Sequence, residues 1–188
     1  MKYKLRELIF ITLCCDLGLF SKRLIAPAAN ILTDFMRIPG GIGTSFSLMF
    51  LVVAAAIVPV RGCAALMGLI QSMIALSLGM VGSMGALSPI GYIVPGIVID
   101  LVLWLFEKIS LPRQPAMVIA NMLAAASAGL MANMIVFNLS SVPLALYVLV
   151  ALASGSISGT LSYSLYIRLR PVLAKEEEKC KRELSQPS

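Results

Sequence analysis

Two carboxylates, Asp16 and Asp100, stand inside long apolar stretches, LIFITLCCDLGLF and GIVIDLVLWLF. A carboxylate among apolar neighbours costs free energy unless it is protonated, paired or met by a ligand. For Asp100 two readings stay open: an acceptor or counter-charge for a cationic ligand, and a carboxyl protonated or paired between helices. Asp16 has no polar cluster around it, which favours the second reading. The amides Gln71, Asn121, Asn133 and Asn138 are candidates of another kind. In apolar helices such groups commonly bond a neighbouring helix. Asn133, Asn138, Tyr92 and Tyr147 all fall near the same end of the helices expected below, where they could line a pocket. For the tyrosines the competing reading is an interfacial aromatic belt, and Trp104 reads as an anchor at the opposite end.

Other chemistries are excluded by composition. The chain has no histidine, which removes His-based triads, HExxH zinc enzymes and imidazole-ligated metals. Cys14, Cys15, Cys63 and Cys180 show no CxxC spacing and read as small helix residues and a free thiol. Gly155-Ser156-Ile157-Ser158-Gly159 is no nucleophile elbow, because that motif needs a strand-to-helix turn and a histidine partner. No GxxxxGK[ST] loop is present to hold a nucleotide. Asp16 and Asp100 lack the GxGD surroundings of an aspartyl membrane enzyme. The expectation is a protein that is not an enzyme and has no cofactor or metal.

The elements that must position these residues follow from hydropathy. Only 13% of the 188 residues are charged, whereas a soluble domain carries about 25%. Lipid must therefore cover this surface. A bilayer core of about 30 Å needs roughly 20 apolar residues per helix, and continuous apolar runs disfavour a β-barrel. The fold expected is all-α, a bundle of six transmembrane helices near residues 5–20, 45–58, 63–81, 90–106, 116–137 and 144–167. A long connection over 24–44, with Pro27 and Pro39-Gly40-Gly41, reads as a loop folded back over the protein. Asp16 and Lys22-Arg23 argue against a cleaved signal peptide ending at Ala26-Pro27-Ala28, so the first span is read as retained.

Orientation follows from the basic residues. With six spans and both termini cytoplasmic, the inner segments hold Lys2, Lys4, Arg6, Arg61, Lys108, Arg113 and the six from Arg168 to Arg182. The outer segments hold only Lys22, Arg23 and Arg37, so twelve of the fifteen lie inside. The net charge of +6 is thus an orientation signal and implies no nucleic acid. Residues 1–173 form the membrane domain and 174–188 a charged cytoplasmic tail. GxxxG at Gly155 and Gly159, and AAASAG over Ala124–Gly129, allow close helix contact, within the bundle or with a partner.

Several of these features resemble the substrate-binding S components of energy-coupling factor (ECF) vitamin transporters. They are the long first outer connection with PGGIGTSFS, the turn PVRGCAALMGLIQ, the fourth span GALSPIGYIVPGIVIDLVLWLF and the basic C-terminus. Gly41 to Phe106 is most similar to the thiamine or hydroxymethylpyrimidine members, which carry an acid on span four, four residues after a glycine. Gly96 and Asp100 match that placement. The acids those members carry early in span three are missing here, with only Gln71 nearby. The resemblance implies a multi-pass protein of a prokaryotic plasma membrane that captures a vitamin-like molecule from outside. It would dock on a transmembrane coupling subunit bearing two ATPase subunits. Asp100, Tyr92, Asn133, Tyr147 and Gln71 would form the substrate site, under loops after spans one, three and five. Family docking uses small-xxx-small patterns on span one, for which Cys14-xxx-Gly18 is the nearest match.

A self-sufficient channel or secondary transporter and a ligand-free structural subunit are the alternatives, although no internal repeat marks a transporter of the inverted-repeat kind. The charge distribution makes a direct prediction. Cysteines placed at Ser83 or Ser140 are labelled in sealed cells by an impermeant reagent, whereas one at Gln114 is protected until the membrane is opened. Labelling of Gln114 in intact cells would overturn the six-span topology.

Overall fold

The computed structural model describes residues 5–36, 42–58, 60–79, 85, 87–137 and 140–185. Six α-helices follow one another: α1 (Leu5–Met36), α2 (Ile42–Ile57), α3 (Cys63–Ser77), α4 (Ser88–Lys108), α5 (Arg113–Ala132) and α6 (Ser141–Ser185). No strand occurs among the described residues. Three stretches, Ser88–Lys108, Arg113–Ile135 and Ser141–Leu173, are long and apolar enough to cross a membrane. α2 and α3 are apolar but shorter, at 16 and 15 residues.

Two boundaries differ from expectation for the same reason. α1 does not give way to a loop at Leu24 but stays helical through Pro27 to Met36. Ser21-Lys22-Arg23 ends an apolar stretch, yet lysine and arginine are good helix formers. The end of a span is not the end of a helix. Likewise α6 does not stop at Arg168 but continues through Pro171 to Ser185. In the sequence there, acids and bases interleaved three and four residues apart favour helix. α5 passes into a wider π-type turn over Asn133–Phe137. Pro39-Gly40-Gly41, most of the turn before α4 and Asn138 lie outside the described residues.

α2 is the hub, in contact with each of the other five helices. It carries no charge, and Leu48, Leu51, Val52, Val53 and Ala54 are all buried. A helix apolar on every side has no solvent face to keep, so it can sit at the centre. Around it the most extensive pairings are α5 with α6, α3 with α4, α1 with α2 and α4 with α5.

The pairings are close because small residues occupy the crossings. A Cβ on Gly155 would lie 2.8 Å from Met122 Cα, and one on Gly159 would lie 2.8 Å from Val118 Cα. The GxxxG motif of α6 is therefore spent on α5 within the bundle. Elsewhere along α5, Ala124, Ala125, Ala128 and Gly129 are buried. Cys14 and Gly18 also face inward, with Gly18 against Ser47 and Gln71, so this pair is not available as a docking face.

Gly159→Val is expected to destabilise the protein by about 1–3 kcal/mol through overpacking against α5. Ile157→Val, on the 61%-exposed side of the same helix, changes stability by no more than about 0.5 kcal/mol. Thermal unfolding of the two detergent-solubilised variants provides the comparison. Equal melting temperatures would refute the α5–α6 clasp.

Candidate functional site

Asp100 projects from α4 onto the start of α3. Its Oδ1 accepts from the Ala64 N–H at 3.1 Å and its Oδ2 from the Ala65 N–H at 2.8 Å. Gly62, which precedes α3 with φ +83°, offers no capping side chain. A helix N-terminus leaves four N–H groups without intrahelical partners, and its dipole favours negative charge. Asp100 therefore does from a neighbouring helix what an N-cap side chain does locally. Gly96 lies one turn earlier on the same face of α4, where a Cβ would meet Ala64 O at 2.5 Å. The Gly96-xxx-Asp100 pattern is a clasp: the glycine admits the backbone of α3 and the carboxylate holds its end.

Gln71 and Tyr92 share a seam between α1, α3 and α4. Gln71 is 1% exposed, and its Nε2 donates to Cys15 O at 3.1 Å. One turn further along α3, Ala75 packs with Leu19 and Tyr92. Lys22 Nζ donates to the Tyr92 hydroxyl at 3.1 Å and lies 4.4 Å from its ring centroid. Tyr147 and Asn133 belong elsewhere. The Tyr147 ring covers Gly129, and Asn133 opens the π-type turn one helical turn beyond. The five expected residues thus fall in three places rather than converging on one ligand: Asp100 on α3, Gln71 and Tyr92 in the α1–α3–α4 seam, Tyr147 and Asn133 on the α5–α6 face.

Asn121, fully buried, ties α5 to α6 and α2. Its Nδ2 lies 2.6 Å from Ser158 Oγ, 3.0 Å from Gly155 O and 3.5 Å from Ser45 O. Ser45 Oγ is in turn 2.8 Å from Ser154 Oγ. Asn121 Oδ1 has no partner among the described residues. Asp16 stands exposed on α1, on the side away from the core.

A cavity of about 540 Å³ opens at the end of the bundle where α2 meets α3 and α4 meets α5. Its apolar wall includes Ala55, Val58, Leu103 and Met117, and its rim carries Arg61, Glu107, Arg113 and Arg170, with Asp100 at its inner side. Arg113 Nη1 donates to Ala56 O at 2.6 Å. The Arg113 and Arg170 guanidinium carbons lie 5.8 and 5.9 Å from the Tyr166 ring centroid. Of the expected site residues only Asp100 touches this cavity. The arginines and Tyr166 did not emerge as site candidates from sequence because each basic residue there reads as an orientation signal.

The chain matches no family model, and no curated protein or solved structure is significantly similar to it.

Asp100→Ala, which strands two N–H groups of α3, is expected to cost about 1–3 kcal/mol, and Asp100→Asn less because one acceptor oxygen remains. Melting temperature and ligand affinity measured on the same purified variants separate the cap from a ligand contact. Unchanged stability in Asp100→Ala would refute the cap.

Proposed function

We propose that the chain is a membrane-embedded solute-capturing subunit of an importer driven by separate ATPases, of the ECF S-component type, with a thiamine-like or hydroxymethylpyrimidine-like solute as the leading substrate. The observation that carries this reading is the sorting of its polar groups along the bundle. Arg61, Arg113 and Arg170 gather at one end, around the α2–α3 and α4–α5 turns. Toward the other end lies the seam holding Gln71, Lys22 and Tyr92, and the sequence of the connections after spans three and five carries no charge. Six spans alternating through a bilayer would place the first end in the cytoplasm and the second outside. An amide, a phenol and an ammonium within an otherwise apolar seam are groups suited to a small polar ring compound arriving from outside. Asp100 enters this reading as the residue that sets α3 against α4 rather than as a ligand contact.

The pure protein is expected to bind solute without concentrating it, and mass spectrometry of molecules co-purifying in detergent identifies the solute. Concentrative uptake appears when a coupling subunit and its ATPases are co-expressed. Accumulation by the purified chain alone in ATP-free liposomes would overturn the proposal.

A further inference from the structure

We infer that the arginine-rimmed cavity is a binding site for a phosphate-bearing anion, distinct from the solute seam at the opposite end of the bundle. Three guanidiniums, those of Arg61, Arg113 and Arg170, surround it against two carboxylates, Asp100 and Glu107. Asp100 has both oxygens engaged by the N–H groups of α3. That leaves Glu107 as the one carboxylate at the rim not so engaged. No ion pair joins the three arginines to a carboxylate among the described residues. Arg113 contacts a carbonyl at the end of α2 and the Tyr166 ring, and Arg170 contacts the same ring. A guanidinium held over an aromatic ring keeps most of its edge donors available, and its planar fork matches phosphate oxygens two at a time.

The volume and lining narrow the ligand further. About 540 Å³ is far more than one phosphate group fills, and the wall behind the arginines is apolar. The site therefore suits a phosphate attached to a less polar body. Basic pockets between membrane helices on the cytoplasmic side take up acidic lipid headgroups, and the inner leaflet is rich in them. A soluble phosphate compound in the cytoplasm offers the same recognition chemistry. The inference does not depend on the proposed transport role.

The full-length protein in neutral detergent is titrated with three probes: short-chain phosphatidylglycerol, inorganic phosphate and short-chain phosphatidylcholine. Binding is read by native mass spectrometry and thermal shift. Phosphatidylglycerol is expected to bind in preference to phosphatidylcholine. Arg61→Gln and Arg170→Gln each weaken it roughly tenfold, the usual consequence of losing a hydrogen bond to a charged group. Melting temperatures without ligand establish that the variants are folded. Glu107→Gln, which leaves the arginines in place, strengthens binding and is informative even where an arginine variant fails to fold. Arginine-dependent binding of inorganic phosphate with no preference between the lipids would assign the site to a soluble phosphate compound. If neither anion binds in a way that Arg61, Arg170 or Glu107 alters, the site does not exist.

Discussion

Close contact between helix backbones is the constraint on which the rest of this structure depends. In a bilayer, lipid tails are as apolar as leucine, so burying leucine against leucine gives helices little reason to associate. What remains is packing at short range and hydrogen bonding across the contact. α5 and α6 meet through Gly155 and Gly159, and α3 and α4 meet through Gly68 and Gly96. At each of these positions one added carbon would strike the backbone of the opposite helix. Once the two pairs are fixed, α2 has a slot with apolar walls on several sides, and its own uncharged surface fills it.

Polar groups then set the register that apolar packing leaves loose. Each buried amide or carboxylate spans a contact at one height only. Gln71 bonds Cys15 O, Asn121 bonds Gly155 O and Ser158, and Asp100 bonds Ala64 and Ala65. Sliding either helix by one turn, about 5.4 Å, would break these bonds and leave the groups unpaired in an apolar interior. Eight serines bond back to a carbonyl three or four residues earlier, as Ser158 does to Ser154 O at 2.8 Å, and so satisfy their own hydroxyl protons locally. Asn121 is the exception, since its buried Oδ1 has no hydrogen-bond partner among the described residues.

The existence and order of the helices were legible because apolar run length is a local property. The six predicted spans overlap the six helices in turn, and the tight turn at Val60-Arg61-Gly62 falls between α2 and α3. Helix ends were less legible wherever lipid and water exchange places. Lys22 and Arg23 mark where an apolar stretch stops but are indifferent to whether the backbone goes on coiling. Asp100 was legible as a residue in need of a partner. The partner itself was not, because it is a pair of backbone N–H groups more than thirty residues earlier, and backbone groups carry no sequence signal. The arginine cavity escaped for a related reason: Arg61, Arg113 and Arg170 lie far apart in the chain, and only the fold brings them to one rim.

That rim forms where the two shortest α-helices meet. At about 1.5 Å per residue, α2 and α3, with 16 and 15 residues, reach only about 24 and 22 Å, short of a hydrocarbon core of about 30 Å. The turn between them lines the hollow together with residues of the longer α4, α5 and α6. Where two helices end, the last carbonyls of α2 and the first N–H groups of α3 lack intrahelical partners, and such groups are expensive if left unpaired. Two side chains from the longer helices answer the two needs with opposite charges. Arg113 places a cation on Ala56 O at the negative end of α2, and Asp100 places an anion on Ala64 and Ala65 at the positive end of α3. Each sign suits the helix dipole it meets. Arg113 and Asp100 are thus first of all the means by which two short helices end inside the bundle. Arg61 and Arg170 have no such task. They line the hollow with no carboxylate partner among the described residues, which is why an anion entering it would meet donors already in place.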